Sequence, residues 1–178
     1  FLKTILMSCS RKKLNISRVG MMKLLKKLEK NDILKSKVIG KSKVYKINLN
    51  SDYVLDMIAF LLSDEANNFK RWKEEFKELF IDGRIVLIYG SAVINYSNAN
   101  DIDLMVIKEN EKSLKITKII NEKQKILPKK IHLIDISQER FLENLEKKQK
   151  SIIDIVKNAI ILYGQAKYVG LIKNVRSI

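Results

Sequence analysis

The sequence predicts an α+β chain of two modules, a small basic unit of helix and hairpin followed by a larger α/β unit around a small mixed sheet. Three observations carry this expectation. Residues 1–50 hold 14 Lys and Arg against Glu29 and Asp32, a local charge of +12, while residues 51–178 add only +3 to the total of +15. The basic segment contains a helical apolar stripe and then two short β-prone runs about Gly40. After residue 80, runs of strand character such as "RIVLIYGS", "NDIDLMVIKE" and "KIHLIDIS" are separated by stretches of other period.

Composition sets the outer limits. A chain of 178 residues holds one ordinary domain or two small ones, and 46% apolar with 31% charged residues is the balance of a folded soluble protein. Apolar runs such as "YVLDMIAFLL" are broken by charge and fall short of the roughly 20 residues a membrane span needs, so no membrane partner is expected. A cytoplasmic location is the default expectation. The single Cys9 has no second thiol for a disulfide or a zinc site and reads as core filler. The chain opens at Phe1 without an initiator Met, so the first module is expected to be truncated at its N-terminus, and nothing near Phe1 resembles a cleaved signal peptide.

In "SRVGMMKLLKKLEK", Val19, Met22, Leu25 and Leu28 form one stripe, with Lys23, Lys26, Lys27 and Lys30 on the other faces and Ser17 placed to cap the helix. "KVIGKSKVYKINLN" then reads as a hairpin with a basic tip. Helix, short linker and hairpin together resemble the recognition helix and wing of winged helix-turn-helix DNA-binding domains, over about residues 10–50, with Phe1–Cys9 as an earlier helix. The resemblance implies a DNA-binding domain at 1–50. Ser17, Arg18, Met21 and Lys23 would enter the major groove, and Lys41 and Lys43 would reach phosphates. The plainer alternative is a lysine-rich solvated face, and the agreement of three adjacent elements favours the first.

Residues 51–79 form a helical connector, capped by Ser51 or Asp52. Phe69, Trp72, Phe76 and Phe80 recur along it at helical spacing. Such a stripe could stack nucleotides, but core packing is the commoner use and is the expectation. The connector would dock the two modules or pair two chains as a homodimer. Asp82-Gly83 ends it with a turn.

Residues 80–178 carry the chemistry. Asp101 and Asp103 open a strand and share one face, because strand side chains alternate, while Ile102, Leu104 and Val106 point into a core. Two carboxylates on one face raise each other's pKa unless a cation lies between them, and oxygen ligands suit Mg²⁺, or Mn²⁺. Gly90 lets backbone approach a ligand closely, and Ser91 adds a hydroxyl and N–H groups at a strand-to-helix turn, a candidate phosphate cradle.

A Gly-Ser turn, nine intervening residues and Asp-x-Asp on a strand closely resemble the nucleotidyltransferase superfamily of the DNA polymerase β type, above all its minimal prokaryotic members. The resemblance spans roughly 80–178 and includes "NAIILYGQAKYV", read as a C-terminal helix and turn. It implies that Gly90 and Ser91 hold the triphosphate of a nucleoside triphosphate, ATP being expected. It further implies that Asp101 and Asp103 are the catalytic metal ligands. The chain departs from the family twice: "AVINYSNAN" lacks the basic residue commonly found after the Ser, and the third carboxylate has no counterpart in register on "KIHLIDIS". His132 stands at that position, and Asp135 lies three residues on with opposite parity, so each is a candidate third ligand. "SQERFLENLEKKQKSIIDIVKNAIILYG" reads as covering helix.

The functional expectation is a metal-dependent enzyme transferring a nucleotidyl group, AMP from ATP, to a protein or nucleic-acid acceptor such as a partner toxin. The alternative is a DNA-binding transcriptional regulator whose transferase domain is degenerate and senses nucleotide.

Overall fold

The computed structural model describes residues 17–109, 114–173 and 175. The helix expected over Phe1–Cys9, and Cys9 itself, lie outside the described residues. The chain divides into two compact units, one running to Met57 and the other spanning Ile58–Ser177.

The first unit contains helix α1 (Arg18–Lys30) and a two-stranded antiparallel hairpin, β1 (Leu34–Ile39) and β2 (Ser42–Ile47). Ser17 caps α1, its hydroxyl accepting from the Gly20 amide at 3.1 Å, which satisfies one of the free donors of the first turn. Lys27 and Lys30 in the last turn suit the negative end of the helix dipole. Buried Asn48 ties the hairpin back on itself: its amide donates to Ile33 O at 2.9 Å and its side chain donates to Asp32 O at 3.0 Å. A helix followed by a hairpin is thus present, while the remaining elements of a winged helix are not seen among the described residues.

The hairpin register sorts its side chains. Lys35 lies opposite Lys46 and Lys37 opposite Val44, so these three lysines share one exposed face. Ser36 and Lys43 are on the other face, and both bond the Glu29 carboxylate of α1, Lys43 at 2.7 Å. Lys43, expected to reach phosphate from the wing, instead braces hairpin to helix. That bond lowers the Glu29 pKa and raises that of Lys43.

Helix α2 (Asp52–Asn67) contains the division between the units, and α3 (Lys70–Phe76) with a 3₁₀ turn (Lys77–Leu79) follows it in the second. The expected aromatic stripe is core. Trp72 and Phe76 are buried, and Phe69 and Phe80 pack against the same cluster. Trp72 stacks on Phe76 with centroids 6.1 Å apart, and Phe80 stacks on Tyr163 at 5.0 Å.

The second unit is built on a four-stranded mixed sheet of β3 (Arg84–Tyr89), β4 (Asp101–Lys108), β5 (Lys130–Ser137) and β6 (Ile160–Tyr163), in the order β5-β4-β3-β6. β3 pairs antiparallel with β4 and β6, and β4 pairs parallel with β5. Parallel pairing requires a crossover, supplied by α5 (Leu114–Ile126), while the short α4 (Ser91–Ile94) lies between β3 and β4 in the chain. Helices α6 (Gln138–Glu146), α7 (Lys150–Asn158) and α8 (Gln165–Lys173) complete the unit.

Both faces of the central strands are covered. Ile102, Leu104 and Val106 enter a cluster with Trp72, Phe76, Ile116 and Ile120, whereas α6 and α8 lie against β4 and β3. Met105 and Ile107 on the second face are also fully buried. Such two-sided burial explains why these strands read as nearly continuous apolar runs.

One expectation is corrected here. "IILY", taken for helix, is the edge strand β6, and helix resumes only at Gln165; the covering helix before it is two helices broken between Glu146 and Lys150. Four consecutive apolar residues fit a buried strand as well as a buried helix turn, and the free edge of β3 decides the matter through pairing, with Leu87 opposite Ile161 and Ile88 opposite Ile160.

Candidate active site

Strand alternation sends Asp101 and Asp103 to the same face at the N-terminal end of β4, where they meet two neighbours brought by register. Tyr89, the last residue of β3, lies opposite Asp103 across the antiparallel pair. On the other side, parallel pairing sets His132 of β5 beside Asp103. The imidazole Nδ1 is 3.1 Å from Asp101 Oδ2 and 3.6 Å from Asp103 Oδ1. One ligand atom from each of Asp101, Asp103 and His132 lies within 4.8 Å of the other two.

Gly90 closes the floor of this cluster. Its backbone sits at φ 78, ψ −162, a region that essentially only glycine occupies. A Cβ there would stand 2.1 Å from Asp103 Oδ2, so the carboxylate occupies the space a side chain would take. Ser91 begins α4 directly after this turn and is exposed. Gly90 therefore abuts Asp103, and Ser91 follows it in the chain.

The electrostatics are those of crowded anions. Burial first, and then the Asp101 charge, push the Asp103 pKa up, and His132 works in the opposite direction. Burial and the two carboxylates push the Tyr89 phenol up to about 12, keeping it neutral. Asp101 and Asp103 are each partly open to solvent, at 30% and 23% side-chain exposure, so a hydrated ion has access. Mutual repulsion, three convergent donor atoms and a missing Cβ fit a divalent cation held by Asp101, Asp103 and His132.

Asp135 does not join them. It lies on the opposite face of β5 and binds the Lys108 ammonium at 2.7 Å, a pair joining neighbouring strands away from the acid cluster. Its proposal as a third ligand is therefore corrected by strand parity. The two residues in question are separated by three positions, an odd number, and an odd number on a strand reverses the face.

Two cations invisible as a motif support the loop that carries the chain from Ser91 to Asp101. Arg71 of α3 lies 3.8 Å from the Tyr96 ring centroid and Lys129 lies 4.7 Å from it. Lys129 also donates to the carbonyls of Ser97, at 3.3 Å, and Ala99. The segment "AVINYSNAN" lacks a basic residue of its own, yet receives positive charge from elements distant in sequence. The only sequence signal was Tyr96 itself, an aromatic in an otherwise polar loop.

In the first unit, Ser17, Arg18 and Lys23 are exposed along α1, and Lys41 is exposed at the hairpin turn. Met21, expected on the outer face, is half-buried, and Lys43 is engaged by Glu29 as described.

A family model described as a nucleotidyltransferase domain matches residues 69–163, more than half of the 178-residue chain. No curated protein and no solved structure matches. The matched span begins at the aromatic stripe of α3, takes in the Gly90 turn, both acids and His132, and ends with β6. The chain belongs to the nucleotidyltransferase domain family.

Proposed function

We propose that this protein transfers a nucleotidyl group, AMP from ATP, to a hydroxyl of a protein or nucleic-acid acceptor. The observation that carries the reading is the convergence of Asp101, Asp103 and His132 beside the side-chain-free Gly90 turn. In this reading the Gly90–Ser91 turn receives the triphosphate, its backbone amides and the Ser91 hydroxyl donating to phosphate oxygens. The two carboxylates and the imidazole hold Mg²⁺ or Mn²⁺, whose contribution is to neutralise charge on the phosphates. Asp101 and Asp103 are held rigid by their strand pairing, so orientation costs little when substrate arrives. The acceptor oxygen bonds to the α-phosphorus while the bond to the α–β bridging oxygen breaks, and pyrophosphate leaves with that electron pair. The acceptor proton passes to the cluster. Arg71 and Lys129 act by fixing the Tyr96 loop.

Adding Mg²⁺ or Mn²⁺ together with ATP is expected to raise Tm, because a ligand that binds only the native state stabilises it by mass action. The Asp101→Asn, Asp103→Asn double variant should show no such shift. A full shift in that variant would place the nucleotide elsewhere.

The first unit supports DNA as a second partner. Lys35 and Lys46 are directly opposed in the hairpin, an arrangement that repels by itself and is relieved by a polyanion. Lys37 extends the same face and Lys41 stands at its turn. With Lys43 committed to Glu29, the phosphate contacts are assigned to this outer face. Duplex DNA should bind with a steep salt dependence, losing roughly 10³-fold in affinity between about 50 and 200 mM salt if six or more phosphates are contacted. A Lys35→Ala, Lys37→Ala, Lys46→Ala variant should bind far more weakly and with a shallower salt slope. Unchanged affinity and slope in a filter-binding titration would reject the assignment. A protein acceptor such as a partner toxin and pairing of two chains belong to the same proposal. If DNA binds and no transfer occurs, the domain serves as a nucleotide sensor on a DNA-binding regulator.

A further inference from the structure

We infer that His132 sets the metal selectivity of this site: its Nδ1 is a nitrogen ligand beside Asp101 and Asp103, and biases the centre toward Co²⁺ and Mn²⁺ relative to Mg²⁺. The inference rests on the proposal that the acid pair holds a cation, and concerns which cation the chain selects.

The placement argues for a ligand more strongly than for a structural histidine. Parallel register sets His132 beside Asp103, and parity turns it to the acids' side of the sheet. β5 is an edge strand, and the imidazole is 47% exposed, so it fills no core space. Its ring nitrogen nevertheless faces inward to both carboxylates, 3.1 Å from one and 3.6 Å from the other. With bonds near 2.1 Å, adjacent octahedral ligands stand roughly 3 Å apart and opposite ones roughly 4.2 Å. The two separations from His132 Nδ1, 3.1 and 3.6 Å, lie between these values.

Donor type then decides the preference. Mg²⁺ is hard, keeps its waters and favours oxygen, so an aromatic nitrogen contributes little to its binding. Affinity for nitrogen donors rises along the first transition series from Mn²⁺ through Co²⁺, so the same nitrogen adds progressively more. A carboxylate at this position would give an all-oxygen site suited to Mg²⁺. His132 is therefore the one group of the three whose chemistry separates these ions.

The test compares the full-length protein with its His132→Asp and Asp103→Asn variants. Bound Mn²⁺ is examined by electron spin echo for nitrogen coupling, both alone and with inorganic triphosphate, a phosphate probe that contains no nitrogen. Co²⁺ and Mg²⁺ affinities are obtained by competition against Mn²⁺. Nitrogen coupling is expected in the parent and absent in His132→Asp. The Co²⁺-to-Mg²⁺ affinity ratio should fall at least tenfold in His132→Asp, with Mg²⁺ binding tightened. No nitrogen coupling in the parent under either condition, or a ratio within twofold of the parent in His132→Asp, overturns the role of His132. If in that case Asp103→Asn still weakens Mn²⁺ binding, the acid-pair reading stands by itself. Undiminished Mn²⁺ binding in Asp103→Asn overturns both.

Discussion

Replacing either Asp101 or Asp103 by Asn should reduce nucleotidyl transfer by about 10³-fold, equivalent to about 4 kcal/mol of transition-state stabilisation. The substitution keeps size and shape but removes the charge that, in the proposed function, would anchor a cation against the triphosphate. Release of pyrophosphate from ATP, and retention of label from α-labelled ATP in acceptor or enzyme, measure the loss. Folding should survive. Burial and the Asp101 charge both raise the Asp103 pKa, so the ionised pair strains the native state, and Asp103→Asn removes that strain. The Tm of metal-free Asp103→Asn should equal or exceed that of the parent at neutral pH. Activity lost while stability is kept or gained is the mark of a site held for function. Transfer within tenfold of the parent in either variant would exclude the acid pair from the chemistry.

Gly90→Ala should be almost as damaging, through geometry alone. At φ 78, ψ −162 an alanine is strained by about 1–3 kcal/mol, and its Cβ would lie 2.1 Å from Asp103 Oδ2. The strand end before the turn is paired, Tyr89 lying opposite Asp103, so the turn has little room to yield. Relief must come from the Asp103 carboxylate moving off its position, from a changed turn, or from both. A fall of about 10²-fold or more in transfer is expected, together with a Tm several degrees lower and weakened Mn²⁺ binding. Ser91→Ala is the control for the turn: it leaves the Gly90 conformation intact and should lower Tm little. Parent-like transfer and Tm in Gly90→Ala would mean that the acids do not depend on this close approach.

The parts of the fold legible in advance were those encoded by local period and turn chemistry. α1 could be read from its helical period with Ser17 before it, although Val19 and Met22 of the stripe are exposed, and the hairpin from two β-prone runs about Gly40. β3 and β4 could be read as apolar runs ended by Gly-Ser or opened by acids, and β5 as a third run of strand character. β6 was not legible. "IILY" has no internal period, and its state is decided by the unpaired edge of β3, which no local pattern announces. The same limit applied to the basic residues: counting lysines showed that the first fifty residues are cationic, but not that Glu29 takes up Lys43 while Lys35, Lys37 and Lys46 line one face.

By itself the sequence determined that Asp101 and Asp103 share one face of a strand, because strand alternation translates spacing directly into direction; that Gly90 belongs with them was implied by the family resemblance. Only the tertiary structure decided what surrounds them. His132 joins the acids and Asp135 is drawn to Lys108 because β4 and β5 pair in one register, and a shift of one residue would have exchanged their faces. Arg71 and Lys129 reach Tyr96 from 25 and 33 positions away along the chain. Such contacts are set by how helices and strands pack against a shared core, a property of many residues at once that no short stretch of sequence contains.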